Sequence, residues 1–242
     1  LSLFFFFKEA PNINDNFIQN DTWVELIGIW GSGKSTAINY LKNDLKEKVY
    51  FKTTNDFFKL NKLTRSSMNF FNLLRTPIYS FELLKIFFPK IINGLFLKDE
   101  IFISELRSFW YCYSARLFEL FNKGNAAYLW EGEFHLIPFL NLEFNQKENL
   151  ITLLLNLSKK KLIKFIVLDT PIEVAINRIE KDQVTGKKIR FSKSQYKIFK
   201  NYINKILLNQ EELIKILEKK GAKVYKIKNL EEITFKKIFL HN

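Results

Sequence analysis

The residues best suited to chemistry lie in one stretch near the start of the chain. It reads Gly28-Ile29-Trp30-Gly31-Ser32-Gly33-Lys34-Ser35 and fits the phosphate-binding pattern G-x-x-x-x-G-K-[ST] at every fixed position. Its glycines let successive backbone N–H groups face one anion, and the start of a following helix adds partial positive charge. We therefore predict that a nucleoside triphosphate, taken to be ATP, is bound by Gly28, Gly31, Ser32, Gly33, Lys34, Ser35 and Thr36.

Two residues of this loop have the most specific predicted roles. Lys34 can reach the β- and γ-phosphates, which makes it the first catalytic candidate, and the Ser35 hydroxyl can bind Mg²⁺. The flanking sequence agrees, because residues 23–27 read as a short buried strand and residues 36–42 as a helix. ATP and Mg²⁺ are therefore the expected cofactors.

The elements that must position these residues follow from the pattern of apolar residues. Five short apolar runs, each followed by a helical pattern, predict an α/β fold with a parallel sheet and helices on both faces. The predicted strands are residues 24–28, 49–53, 127–130, 165–168 and 223–227. Because ligands bind beyond the carboxyl ends of such strands, the chemistry is expected at residues 28–35, 53–57, 131–135 and 169–171.

Helices fill the rest of the predicted fold. The chain between the second and third strands is too long for a single crossover. Residues 55–93 read as short helices broken at Pro77 and Pro89, and a long helix follows from about residue 98 to residue 121. A second long helix, from about residue 193 to residue 220, should cover the sheet without contributing chemistry.

The bulk composition limits the partners and the compartment. The formal net charge is +13, but the lysines are scattered and Phe, Lys, Asn and Ile are all abundant. Because an AT-rich genome gives such a composition, nucleic acid is not the expected partner. One cysteine and two histidines allow neither an internal disulfide nor a zinc site, which fits a reducing, cytoplasmic location. Charges and prolines interrupt the apolar stretch at residues 78–97, so no membrane span is expected.

A second motif lies at residues 168–179 and reads Leu-Asp-Thr-Pro-Ile-Glu-Val-Ala-Ile-Asn-Arg-Ile. It closely resembles the segment after the fourth strand of thymidylate kinase and related nucleotide kinases, and residues 28–36 match the phosphate loop of that family. The resemblance implies a P-loop kinase: a three-layer α/β/α sandwich whose five-stranded parallel sheet has the order 2-3-1-4-5. It also implies a single domain with its core at residues 22–54 and 124–242, a helical substrate-side insertion at 55–123 and a lid at 179–194.

The activity that this resemblance implies is transfer of the ATP γ-phosphoryl group to a small-molecule acceptor, a nucleotide or a nucleoside. In that family the arginine that matches Arg178 lies near the adenine and the phosphates, and Arg190 fits a lid arginine. Glu131 keeps the carboxylate that follows the third strand, so it can bind Mg²⁺ or accept a hydroxyl proton. The family's next arginine is replaced by Gly132, which keeps a sugar or another small alcohol as an alternative acceptor.

The residues that would bind the phosphate acceptor each have more than one interpretation. Arg107 resembles the helix arginine that holds the acceptor's phosphate but also suits a surface position, and Arg75 is a second candidate for the same task. Asp56 either orients an acceptor hydroxyl or, together with Asn55, caps the next helix. The basic residues around Arg190 suit a solvated loop as well as a lid.

Two alternatives concern the whole site. Glu131, Glu133 and His135 alternate along the chain, so a chelated metal is conceivable, although the Mg²⁺ that accompanies ATP already accounts for one carboxylate. From a different class, the chain could be a P-loop ATPase associated with nucleic acid. For the assembly, the resemblance suggests a homodimer through a long helix.

Overall fold

A parallel sheet forms the centre of the chain. The computed structural model describes residues 22–44, 51–52, 76–96, 100–121, 127–158, 162–185 and 193–228. Within these ranges the strands are β1 (Thr22–Ile27), β2 (Phe51–Lys52), β3 (Ala127–Trp130), β4 (Leu162–Leu168) and β5 (Lys223–Ile227). They lie in one sheet in the order β2-β3-β1-β4-β5. The α/β class predicted from the sequence is confirmed.

Helices connect these strands and cover them. The α-helices of the described ranges are α1 (Lys34–Asp44), α2 (Pro77–Phe96), α3 (Glu100–Phe121), α4 (Phe144–Leu157), α5 (Ile172–Val184) and α6 (Lys193–Lys219). A 3₁₀ helix at Phe134–Leu140 lies between β3 and α4. Helix α1 begins at Lys34, the lysine of the phosphate-binding pattern, and α5 begins shortly after β4 ends.

The register of the sheet brings three predicted segments to one edge. β1 pairs with β4 from Thr22 opposite Leu162 to Ile27 opposite Val167. On its other side β1 pairs with β3, with Glu25 opposite Trp130. Because all three strands are parallel, the segments that follow them begin side by side. The phosphate loop is therefore flanked by the residues after β3 and by those after β4.

Alternate residues of the central strands face two hydrophobic clusters. Leu26 and Ile166 pack with α1, whereas Ile27 and Phe165 pack with residues of α3, α4 and the 3₁₀ helix. All four of these side chains are fully buried. Strands that are buried on both faces are mostly apolar, which is why β1, in spite of its buried Glu25, and most of β4 were recognisable in the sequence.

A buried lysine ties two helices to the segment after β3. Lys147 of α4 donates from Nζ to Asn209 Oδ1 at 2.6 Å and to Glu212 Oε2 at 2.5 Å, both on α6. Asn209 Nδ2 in turn donates to the backbone oxygen of Pro138 in the 3₁₀ helix, at 2.9 Å. The 3₁₀ helix is thus held against α6 by hydrogen bonds as well as by packing.

Helix α2 corrects one prediction, because it continues from Pro77 through Pro89 to Phe96. The predicted break at Pro77 fits, since proline suits the first helical position, but the predicted break at Pro89 is wrong. A proline inside a helix costs about 3 kcal/mol. Leu83 and Phe87 of the same helix are fully buried, and each buried side chain of this size contributes about 1.5–3 kcal/mol. Burial of this face therefore offsets the cost of Pro89.

Other boundaries also differ from the predictions; β1, for example, runs over Thr22–Ile27 and not over residues 24–28. β4 begins at Leu162 instead of residue 165, because the buried Lys164 interrupts the apolar pattern without interrupting the strand. Helix α5 extends to Val184, so residues 179–184 of the predicted lid are helical. In the described ranges, no helix has both the length and the apolar character that a membrane crossing requires.

Candidate nucleotide-binding site

The phosphate loop has a backbone geometry that strongly favours glycine at two positions. Gly31 and Gly33 have φ angles of 79° and 92°, in the left-handed region that glycine favours. A Cβ atom on Gly31 would lie 2.4 Å from the backbone oxygen of Ala175, and one on Gly28 would lie 2.4 Å from Ser32 Oγ. A side chain at Gly31 would therefore collide with the backbone of α5, whereas one at Gly28 would displace the Ser32 side chain of the loop itself.

The loop ends in the N-terminus of α1. Ala37 N donates to Gly33 O at 2.9 Å, so the helical hydrogen bonds begin inside the phosphate-binding pattern. The Ser32 hydroxyl is buried, and within the described residues it has no hydrogen-bond partner. A buried polar atom in a glycine-rich turn at a helix N-terminus fits a site built to bind an anionic group. The structure thus supports the predicted phosphate site on geometry as well as on pattern.

The Lys34 side chain lines the cavity beside the loop and is 4% exposed. Its Nζ donates to Gly28 O at 2.7 Å and to Ile29 O at 3.0 Å. It also forms an ion pair with Glu131, with 3.7 Å between Nζ and Oε1. The loop lysine and the predicted carboxylate therefore face each other, so both can act on one ligand.

Glu131 follows β3 directly and keeps part of its carboxylate accessible, at 19% exposure. Its Oε1 lies 3.8 Å from His135 Nε2, and His135 Nδ1 lies 2.5 Å from Gly132 O. Behind it, Cys112 Sγ lies 3.9 Å from the backbone oxygen of Glu131. Burial is the main reason that the pKa of this thiol is well above its usual value, so Cys112 is an uncharged neighbour.

Glu133 faces away from Glu131 into the core. Arg116 of α3 donates from Nε to the Glu133 carboxylate, and its Nη2 forms an ion pair with Glu25 of β1. The guanidinium also stacks over the ring of Trp23, 4.5 Å from the ring centroid. All three charged side chains are fully buried. Burial lowers the pKa of Arg116, while the charge of Glu133 acts in the opposite direction.

The orientation of Glu133 bears on the metal alternative. Glu131 lies beside both Lys34 and His135, but Glu133 is bound to Arg116, so these three residues do not converge. Within the described part of the chain, no three His, Cys, Asp or Glu residues are grouped closely enough to hold a metal ion. For a Mg²⁺ ion that enters with a nucleotide, Ser35 and Glu131 remain the fitting pair, because both line the same cavity.

The segment after β4 supports the loop from the other side. Thr170 Oγ1 donates to Ser32 O at 3.0 Å, and Arg178 Nη1 donates to Gly31 O at 3.2 Å. Arg178 is exposed at the rim of the loop, where a cation would meet a bound phosphate group. The two motifs singled out in the sequence are thus in direct contact.

These elements enclose a cavity of about 280 Å³. This volume is close to the lower limit for small-molecule sites, which range from about 300 to 1,000 Å³. The lining consists of Gly31, Ser32, Gly33, Lys34, Ser35, Thr36, Glu131, Arg178, Ile179 and Asp182. Gly28 is not part of the lining, but its backbone oxygen accepts a hydrogen bond from Lys34 and so helps to position that side chain.

The candidate residues for the acceptor are not brought to this cavity by the described structure. Arg107 is exposed on α3 and is not part of the cavity lining. Arg75, Asp56 and Arg190 lie outside the described residues. Their predicted roles remain predictions.

Sequence reasoning missed three residues that the structure places at the site. Thr170 supports the loop, and Ile179 and Asp182 line the cavity. Thr170 lay within the recognised motif but has a small side chain without a charge. Ile179 is the last residue of the recognised motif. Asp182 follows Arg178 by four residues, so the helical spacing of α5 could have identified Asp182.

Comparison with known protein families identifies a P-loop domain in this chain. The KAP family P-loop domain matches residues 10–232, which is most of the chain. A search of curated proteins gives no significant match.

Proposed function

Because the chain belongs to the KAP family of P-loop domains, we propose that it binds and hydrolyses a nucleoside triphosphate, with ATP as the substrate and Mg²⁺ as the metal cofactor. One observation carries this proposal. The loop lysine and an accessible carboxylate lie 3.7 Å apart within the cavity that the phosphate loop encloses. That arrangement supplies a cation for the phosphates and an acceptor for a water proton at the same place.

Lys34 is the residue that would hold the β- and γ-phosphates. An ammonium group has three donors, and two of them already bind Gly28 O and Ile29 O. The third donor faces Glu131, so a bound triphosphate would compete with this carboxylate for Lys34. Phosphate binding would thereby release Glu131 from its ion pair.

Glu131 is the residue that would act on the attacking water. A carboxylate released from Lys34 can accept a proton from water or orient it toward the γ-phosphate. Glu131 and Ser35 would also hold Mg²⁺, which neutralises phosphate charge when it is bound. Arg178, exposed at the rim beside Gly31, would add positive charge at the phosphates.

The test is Mg²⁺-dependent release of phosphate from ATP by the full chain and by Lys34→Ala. Removal of one charge-stabilising donor typically costs about 100- to 1,000-fold in turnover, and a loss of that size is expected here. Lys215→Ala is the matched control, because Lys215 is exposed on α6 and does not line the cavity. Equal turnover of Lys34→Ala and the unchanged protein would refute the proposal.

Transfer of the phosphoryl group to a small acceptor is the second candidate. Its support is the strand order β2-β3-β1-β4-β5, which is the order that the resemblance to thymidylate kinase implies. The acceptor would be a nucleotide or nucleoside, with a sugar or another small alcohol as the alternative. Nucleoside monophosphates, nucleosides and sugars added to the same assay separate the two functions, because a kinase releases ADP only with its acceptor.

An ATPase that acts on nucleic acid would give a third result in this assay. Its ADP release would need no small acceptor, would rise when DNA or RNA is added, and would lose that stimulation as salt is increased. The net charge of +13 is the only observation that favours it.

A further inference from the structure

One wall of the nucleotide cavity carries a carboxylate that has no role in the function proposed above. This wall is the face of α5 formed by Ala175, Arg178, Ile179 and Asp182. Residues spaced by three and four positions share one face of a helix, and the contacts agree. Ala175 O lies 2.4 Å from the position that a Cβ of Gly31 would take, Arg178 binds Gly31 O, and Ile179 and Asp182 line the cavity.

The position of Asp182 along this wall separates it from the phosphates. It lies seven residues beyond Ala175, which corresponds to about 10 Å along a helix axis. A carboxylate repels a triphosphate, so Asp182 does not suit the phosphate end of the ligand. In the described part of the chain, no hydrogen bond or ion pair engages the Asp182 side chain. The other end of a nucleotide, its nucleoside, is the part that can reach this carboxylate.

We propose that Asp182 accepts a hydrogen bond from an O–H or N–H group of the bound nucleoside, and so determines which nucleotides the site prefers. The proposal rests on the nucleotide binding proposed above. An ionised carboxylate only accepts hydrogen bonds, and a nucleoside offers two kinds of donor: the ribose hydroxyls and the amino group of the base. Asp182 therefore favours nucleotides that carry such a donor over analogues that lack it.

Ile179 supports this assignment of the wall. It is 6% exposed and packs with Ile29 and Trp30, which are part of the phosphate loop. Along α5 the wall therefore changes from a cation, through an apolar side chain, to a carboxylate. This is the order of groups that matches a phosphate, the apolar surface of a sugar or base, and a polar donor at the end of the nucleoside.

The test measures equilibrium dissociation constants by calorimetry, with EDTA present so that no hydrolysis occurs. The ligands are ATP, 2′-deoxy-ATP, 3′-deoxy-ATP and purine riboside triphosphate, which lacks the amino group. The full chain and Asp182→Ala are compared. A hydrogen bond to a charged group typically changes affinity by about tenfold to hundredfold. We expect the full chain to bind at least one analogue more weakly than ATP by that factor, and Asp182→Ala to bind the two equally.

The set of nucleotides whose dissociation constants change identifies the donor group. It also shows whether the Asp182 proposal alone fails or nucleotide binding fails with it. Loss of preference against a deoxy analogue indicates a ribose hydroxyl, and loss against the purine riboside indicates the amino group; either supports the proposal. Equal changes for all four ligands, or none, overturn it while leaving nucleotide binding intact. If the full chain binds none of the four, either with EDTA or with Mg²⁺ restored, the proposed function fails as well. Glu173→Ala is the control, because Glu173 is an exposed carboxylate on α5 outside the cavity lining.

Discussion

Arg116 donates from Nε to the carboxylate of Glu133, and both side chains are fully buried beneath the segment that carries Glu131. Arg116 comes from α3, and it also pairs with Glu25 of β1. This single arginine therefore joins a helix, the central strand and the turn after β3. Glu131 lies only two residues from Glu133, so the same contact restrains the carboxylate that faces Lys34.

Replacement of Arg116 by methionine should destabilise the protein strongly. Arg116→Met leaves two carboxylates buried without their cation, and loss of one partner from a buried pair typically costs about 3–5 kcal/mol. The free energy of unfolding from urea titration measures this loss. The triple variant Arg116→Met, Glu25→Leu and Glu133→Leu replaces the whole cluster by apolar side chains, so it should recover much of the loss. If the single variant is as stable as the unchanged protein, the buried cluster does not stabilise this fold.

Replacement of Gly31 by alanine should abolish nucleotide binding, whereas the same change at Gly221 should not. Both glycines have left-handed φ angles, 79° and 77°. A Cβ on Gly31 meets Ala175 O at 2.4 Å, but a Cβ on Gly221 meets nothing within 4 Å.

The comparison of these two variants separates collision from backbone strain. Gly221→Ala should lose only about 1–2 kcal/mol of stability, the cost of a left-handed non-glycine residue. Gly31→Ala should lose more and should also fail to bind ATP in calorimetry. Equal stabilities and equal ATP affinities of the two variants would contradict the contact between the loop and α5.

Tyr196 should make the stability of the protein depend on pH in the alkaline range. Its hydroxyl donates to Glu180 Oε1 at 2.5 Å, and burial, together with this carboxylate, raises its pKa from 10.0 to about 12. The folded state therefore holds this proton more tightly than the unfolded state. The resulting stabilisation is complete below pH 10.0 and is lost as the pH rises toward about 12.

The measurement is the difference in unfolding free energy between the unchanged protein and Tyr196→Phe at several pH values. The difference should be constant up to about pH 9 and should shrink above the ordinary tyrosine pKa of about 10. Tyr202→Phe is the control, because Tyr202 is an exposed tyrosine on the same helix. A difference that stays constant through this range would show that the bond to Glu180 does not hold the proton.

The phosphate loop and most strands were predictable because each depends on local chemistry. A glycine-rich pattern fixes a backbone shape, and strands buried on both faces are mostly apolar. The start of β4 was missed because Lys164 looks exposed in sequence but is buried in the strand. Helix α2 was divided in error because the cost of Pro89 is visible in sequence, whereas the compensating burial of Leu83 and Phe87 is not.

The candidate site was predictable in its phosphate-binding half only. Glu131 and Glu133 alternate as if they shared one face of a strand, but the strand ends at Trp130 and a 3₁₀ helix follows. The turn between them sends Glu133 to Arg116, and nothing in the spacing of these residues reveals that partner. Asp182 was missed because residues after Arg178 were predicted to form a lid, whereas α5 continues and places Asp182 in the cavity.

The contacts of Thr170, Ala175 and Arg178 with the phosphate loop also bear on how far the loop is autonomous. Its sequence pattern ends at Ser35, but its shape depends on side chains and backbone supplied by the segment after β4. A fragment that stops before β4 would retain every residue of the pattern and lose these supports. In this protein the phosphate site is therefore built from two distant segments, and truncation of the segment after β4 should disrupt the phosphate loop.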